Sequence, residues 1–336
     1  MTAAGAPPPL PVVFVLGPTA SGKTRLGVAL ARRCHGEILS FDSRQLYRGM
    51  DLGTGKDLAE YAAGPDGPAV PHHLIDLAAP TEPFDLHAFL PLAYAAAAAV
   101  RRRGALPIGV GGSVLYVKAF LDGYELAGGA PDPVLRAELA TRSDAELRAE
   151  LARLAPDLAA RADTAPHRRL IRAVEIARTR ASATGRAATA PARPTIRPLL
   201  LGPYYPRPEL HRRIAERLDA RLAAGLVAEV AGLHRRGVGW ARLEAFGLEY
   251  RCVAWHLQGR LPFLEMRDRL LAQIRQFCRR QEIWFRKLER EGKAIHWIPG
   301  GDVARAEALV RRFLAGEALP PPELRLADIH YGPPSQ

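Results

Sequence analysis

Gly17-Pro18-Thr19-Ala20-Ser21-Gly22-Lys23-Thr24, GPTASGKT, lies between a short apolar run, Val12 to Leu16, and TRLGVALARR, Thr24 to Arg33. The apolar run is rich in β-branched residues and predicts a buried parallel strand, whereas the segment after the loop has helical periodicity. In that context the octapeptide matches G-x-x-x-x-G-K-[ST]. Its glycines let backbone N–H groups point at phosphate oxygens, and the helix N-terminus adds partial positive charge. Lys23 adds a full charge, and the Thr24 hydroxyl can hold Mg²⁺. A chain built this way grips a di- or triphosphate.

Outward from the loop, Glu37 to Phe41 predicts a second strand and Leu106 to Val110 a third, with an alanine-rich helix, Phe84 to Arg103, between them. Ile196 to Leu201 and Lys293 to Ile298 continue the strand pattern. Glu209 to Arg236 and Pro262 to Arg290 read as long helices. The expected class is α/β: a P-loop NTPase-like parallel sheet flanked by helices. Helical segments without strand pattern fill the region up to Arg180, so a helical insertion is expected. The predicted organisation is a core over 10–124, the insertion over 125–180, the rest of the core with basic C-terminal helices over 181–318, and a ragged tail over 319–336. Ala181 to Pro198, small, polar and proline-rich, predicts a loop.

At 336 residues with 48% apolar residues, the chain can bury a substantial core. Its charge is +12, carried almost wholly by arginine. Such a surplus favours polyanions, nucleic acid foremost, although a GC-rich genome also writes arginine and alanine freely. Cys34, Cys252 and Cys278 form no CxxC pair, which excludes a zinc finger and a disulfide framework and fits a reducing cytoplasm. Val12 to Leu16 is too short for a signal peptide or a membrane span. A cytoplasmic monomer with no membrane partner is expected.

A Walker-type hydrolase also needs a carboxylate at the end of a neighbouring strand to hold the metal and place a water. The third strand ends in Gly111, Gly112 and Ser113 instead. Diphosphate as a leaving group is therefore the better match to the loop. The second strand ends in DSRQLYRGMDLGTGK, Asp42 to Lys56, which delivers a carboxylate to the carboxyl edge of the sheet where ligands bind. Asp42 can accept a proton or hydrogen bond from a nucleophile; a helix cap or an outer magnesium contact is the alternative.

Six blocks occur together: GPTASGKT, DSRQLYRGMDLGTGK, HHLID at His72 to Asp76, GGSVLY at Gly111 to Tyr116, RRLIRAVE at Arg168 to Glu175, and IRQFCRRQEIWFR at Ile274 to Arg286. In order and spacing the set resembles the tRNA dimethylallyltransferase family. The resemblance implies transfer of a dimethylallyl group from dimethylallyl diphosphate to N6 of adenosine 37, next to the anticodon of tRNA. It also implies a role for Asp42 in orienting the adenine amine, and diphosphate stabilisation by residues 17–24 with Mg²⁺ at Thr24, joined by Arg280. By the same resemblance, tRNA is met by Asp42, Ser43, Arg44 and Gln45, by Ser113 in place of a usual threonine, and by Arg136. Arg168, Arg169 and Arg172 match the family's Gln-Arg-x-x-Arg element, with Arg168 in place of glutamine. The target base must leave its stack to react.

From the residues themselves, Arg275, Arg279, Arg286 and Arg290 share one helix face, a basic stripe suited to RNA or simply solvated. Arg275 and Arg279 are the tRNA-facing candidates. His72 and His73 read as packing residues rather than metal ligands. Two departures from the family pattern stand out: GTGKD at 53–57 replaces the more usual GTAKP, and GLEYR at Gly247 to Arg251 replaces a GYRQ-like turn. Three other readings share the phosphate loop: an adenylate dimethylallyltransferase acting on free AMP or ADP, a small-molecule P-loop kinase, and a non-catalytic RNA-binding protein.

Overall fold

The structure is a computed structural model, and it describes residues 8–123, 132–162, 164–182 and 193–329. The first boundary expected for the insertion, most of the Ala181 to Pro198 loop, and the tail from 330 lie outside the described residues.

In chain order the core opens with β1 (Leu10–Leu16), α1 (Lys23–Arg33), β2 (Gly36–Ser40), β3 (His72–His73), α2 (Leu86–Arg102), β4 (Leu106–Gly111) and α3 (Val114–Asp122). Four helices follow: α4 (Pro133–Ala140), α5 (Asp144–Leu154), α6 (Pro156–Arg161) and α7 (His167–Ser182). The chain returns through β5 (Ile196–Tyr204), α8 (Arg207–Ala223), α9 (Leu226–Arg235), α10 (Trp240–Ala245), α11 (Leu248–Leu257), α12 (Phe263–Arg290), β6 (Ile295–Pro299) and α13 (Val303–Leu314).

The six strands form one sheet in the order β3-β2-β4-β1-β5-β6, and every pairing is parallel. A parallel sheet needs cover on both faces, and the burial of β1 shows it. Val13 and Val15 pack with Leu26 and Leu30 of α1 and with Val310 and Phe313 of α13. Phe14 turns the other way and meets Phe41 edge-on at 5.0 Å and Phe120 at 5.8 Å. Gly109 makes room for this cluster, because a Cβ there would lie 2.4 Å from the Phe14 ring. The floor beneath the carboxyl edge of the sheet is thus aromatic and close-packed.

The chain divides into two compact units. One takes Met1–Asp85, Leu92–Asp122 and Pro194–Gln336; the other takes Leu86–Pro91 and Gly123–Arg193. The second unit has its own core of Leu139, Leu147, Leu151, Leu170 and Val174. Ser143 and Glu146 form a capping box at the start of α5.

One expectation needs correcting in detail. Glu209 to Arg236 is not one helix: the chain breaks at Gly225, whose φ of 102° no β-carbon-bearing residue adopts easily, so α8 and α9 are separate. The pair His72–His73 is a short edge strand beside β2. Its residues do pack. His72 stacks on Tyr61 at 4.5 Å, and His73 Nε2 lies 2.6 Å from the Glu37 carboxylate, which Arg103 also binds.

Candidate functional site

The site is assembled at the carboxyl ends of β1, β2 and β4. Between β1 and α1 the loop runs through Ala20 at φ 62° and Gly22 at φ 78°. Left-handed residues of this kind turn successive N–H groups to one side, the nest geometry that receives anions. Ala20 holds a strained conformation for a non-glycine residue. Ser21 is 1% exposed, and its Oγ has no hydrogen-bond partner. A buried hydroxyl without a partner costs stability unless a ligand satisfies it. Gly17 is required beside it, since a Cβ there would lie 2.6 Å from that Oγ.

The loop is held from outside by α12. Gln281, buried, accepts the Thr19 N–H at 2.9 Å through Oε1 and donates to the Gly112 carbonyl at 3.1 Å through Nε2. One amide therefore ties the phosphate loop to the tip of β4. At that tip Ser113 Oγ accepts the Ser43 N–H at 3.0 Å and lies 3.2 Å from the Ser43 hydroxyl. Gly111 is needed because a Cβ would collide with the Phe41 carbonyl at 2.1 Å.

Three arginines of α8 approach the same loop. Arg213 donates to the Ala20 carbonyl at 3.0 Å and lies over the Tyr205 ring at 4.3 Å. Arg217 donates to the Thr19 hydroxyl. Arg221 donates to Asp57 at 3.3 Å. Spaced four apart, they share one face of α8. Lys23 feels them: burial, then the Arg217 charge, pulls its ammonium down to about 8. Arg217 is pulled down to about 10 by burial and by Arg221. Cations crowded this way disfavour charge on Lys23 and Arg217, an arrangement that negative charge between them would relieve.

Asp42 stands just past the tip of β2. Its Oδ1 accepts the Arg44 N–H at 3.0 Å, which fixes the turn, and its charge reaches both Lys23 and Arg217, raising each against the depression by burial. A carboxylate and a phosphate nest thus share one electrostatic neighbourhood. Arg44 is anchored by Glu249 at 3.0 Å and lies 5.2 Å from the Phe277 ring centroid. Arg280 is exposed and lies 6.0 Å from the same ring centroid. Gln45 is buried, with its amide bonded to Ser40 and to the Gly55 carbonyl, both at 2.8 Å, so it shapes the turn from within.

Along α12, Arg279 and Arg290 are exposed, Arg275 and Arg286 half-buried. The Arg275 Nε has no hydrogen-bond partner. In the helical unit, Arg136 grips Glu175 through Nε at 2.9 Å and Nη2 at 3.0 Å, and Arg172 binds the same carboxylate at 3.3 Å. Arg168 and Arg169 are exposed on α7. Both departures from the family pattern have partners: Glu249 and Tyr250 of GLEYR bind Arg44 and Glu229, and Lys56 and Asp57 of GTGKD bind Asp76 and Arg221.

Sequence reasoning missed Arg213, Arg217, Arg221 and Gln281. The three arginines carried a usable signal, since the four-residue spacing that marked the α12 stripe also runs through α8. Gln281 carried none, because a buried glutamine within a basic helix looks like any polar residue. Among the described residues no cluster of three or more His, Cys, Asp or Glu could hold a metal, and no helix is long and apolar enough to cross a membrane.

Residues 45–288 match the family model described as IPP transferase. A tRNA dimethylallyltransferase 2 of Trichlorobacter lovleyi is 46% identical over 90% of this chain and 97% of that protein. One from Syntrophotalea carbinolica is 45% identical over 90% and 99%. Among solved structures, the tRNA isopentenylpyrophosphate transferase of Bacillus halodurans superposes with a TM-score of 0.64 at 32% identity, covering 91% of this chain and 96% of that one. A eukaryotic dimethylallyltransferase acting on tRNA superposes with a TM-score of 0.75 at 20% identity, covering 92% and 80%, which shows a shared fold.

Proposed function

The chain belongs to the IPP transferase family, and from that premise we propose that it transfers a dimethylallyl group from dimethylallyl diphosphate to N6 of adenosine 37 in tRNA, releasing diphosphate. The observation that carries this reading is Asp42 at the strand tip, its charge felt by Lys23 and Arg217 of a nest whose Ser21 hydroxyl lacks a partner.

An exocyclic adenine amine is a weak nucleophile. Asp42, accepting its N–H, orients the lone pair toward the allylic carbon and takes the proton as the C–N bond forms. The C–O bond to diphosphate breaks in the same displacement. Charge then grows on the departing oxygens, where the loop amides, Ser21, Lys23 and Arg217 are already in place. The hydroxyl of Thr24, a hard oxygen donor in the first turn of α1, suits Mg²⁺, which when bound would neutralise part of the diphosphate charge. Arg280 belongs to the same reading as a further cation, and the triphosphate-binding capacity of this loop type is turned to a diphosphate.

Arg44, Ser43, Ser113, Arg275 and Arg279 supply the RNA surface of the core. Arg136, Arg168, Arg169 and Arg172 supply that of the helical unit, where flat guanidinium groups suit phosphates and unstacked bases. A monomer working in the cytoplasm completes the proposal.

Incubating unmodified tRNA with the protein, dimethylallyl diphosphate and Mg²⁺ and weighing the RNA tests it. A gain of one five-carbon unit on the adenosine beside the anticodon is expected. Transfer to free AMP but not to an anticodon stem-loop, or consumption of ATP with no change in RNA mass, defeats it.

A further inference from the structure

Arg217 and Arg221 both disfavour the charge on Lys23, and Arg221 disfavours that on Arg217, yet Arg221 already has an anionic partner. Asp57 Oδ1 accepts from Arg221 Nη2 at 3.3 Å. Two features fix this pair. The Arg221 guanidinium lies against Gly55, where a Cβ would come within 1.8 Å of Nη2 and where φ is 65°. Asp57 itself sits at φ 48°, a left-handed conformation that aspartate and asparagine tolerate and proline cannot reach. Gly55 and Asp57 are the two positions at which the segment departs from the GTAKP pattern. The Asp57 charge also reaches Lys23, Arg217 and Glu60. Glu60 has a buried carboxyl oxygen with no hydrogen-bond partner, and the charges of Arg25, Lys23 and Arg217 reach it.

We propose that Asp57 is a built-in counter-anion of the diphosphate nest, holding the Arg221 guanidinium in the empty site and competing with diphosphate for it. The inference rests on the diphosphate reading of the loop and deepens it. A tethered carboxylate at this point stabilises the empty cation cluster, weakens the bound diphosphate by like-charge repulsion, and hastens release of the product after transfer. A proline at the same position offers no charge, so affinity for diphosphate is set here by a residue outside the phosphate loop.

Calorimetric titration of the full chain with inorganic pyrophosphate, with and without Mg²⁺, tests the proposal without any turnover. Asp57→Asn keeps the left-handed backbone and removes the charge; Asp57→Gly serves if the first variant melts early. Pyrophosphate is expected to bind about three- to fivefold tighter to either variant, the scale of one partly exposed ion pair. The gain is expected to vanish in an Arg221→Gln background. Unchanged or weaker binding in both variants overturns the proposal. Weakening seen only with Mg²⁺ present also overturns it, by assigning Asp57 to the metal. If the unaltered protein binds no pyrophosphate, the diphosphate reading itself fails, and the inference with it; that outcome differs from an Asp57 variant that merely equals its parent.

Discussion

The Oε1 atom of Gln281 accepts the backbone N–H of Thr19 at 2.9 Å across 262 residues of chain. Because the same side chain donates to the Gly112 carbonyl, helix α12 braces the phosphate loop against the tip of β4, beyond the last β1–β4 partners Leu16 and Gly111. Gln281→Ala leaves two buried backbone groups without partners, each costing about 1–3 kcal/mol. The expected outcome is a lower melting temperature together with a raised KM for dimethylallyl diphosphate. A variant that melts lower but keeps its KM would show that the tie is structural alone.

Asp42→Asn retains an oxygen to accept the Arg44 N–H, so the turn survives while the negative charge goes. Turnover is expected to fall by roughly 10² to 10⁴, the usual range for a lost general base. Affinity for tRNA is expected to stay within about threefold, a difference below 1 kcal/mol. Gel-shift and single-turnover measurements on the same preparation separate the two, and parallel loss of binding and rate would deny Asp42 a chemical role.

Arg217 is the α8 residue bonded to the loop hydroxyl of Thr19. Arg217→Gln removes a charge-assisted contact worth about 1.5–3 kcal/mol, so KM for dimethylallyl diphosphate is expected to rise about 10- to 100-fold. KM for tRNA is expected to move little. Equal effects on both substrates would place Arg217 on a shared surface instead.

Lys23 is held near 8 by burial and by Arg217, well below the ordinary lysine value of 10.5. A base whose folded pKa is depressed destabilises the fold at pH values below that pKa, and the penalty fades between about pH 8 and 10.5 as the unfolded chain alone keeps the proton. Lys23→Met is therefore expected to be more stable than its parent at pH 7, by about 3 kcal/mol at most, with the gap narrowing toward pH 10. Denaturant unfolding of the empty protein at three pH values checks this. A variant that is less stable at neutral pH would contradict it.

In the helical unit, Glu175 is 2% exposed and binds Arg136, Arg172 and the Asp132 N–H. Glu175→Gln is expected to weaken that unit by about 3 kcal/mol, the cost of breaking a buried ion pair. Hydrogen exchange should quicken in α4 and α7 while pyrophosphate binding by the core stays unchanged.

The strands β1, β2, β4, β5 and β6, the helix after the loop and the long α12 were all legible along the chain, because each is announced by residues adjacent in sequence. A β-branched run before glycine, a carboxylate at a strand end and a helical repeat of apolar residues need no partner to be recognised. The two-residue strand His72–His73 was not legible, since its only reason to be a strand is the β2 edge beside it. Nor was the break at Gly225, where a single positive φ divides an otherwise continuous helical pattern.

Sequence alone determined that the chain carries a G-x-x-x-x-G-K-[ST] loop followed by a strand-end carboxylate, and the six blocks together were enough to place it among tRNA-modifying transferases. Only tertiary structure decided which distant side chains complete the nest. Arg217 on Thr19, Gln281 between Thr19 and Gly112, and Asp57 on Arg221 are pairs separated by 164 to 262 residues. A motif reports contacts the chain makes with its own neighbours; a hydrogen bond between remote residues exists only once packing has brought α8 and α12 against the loop.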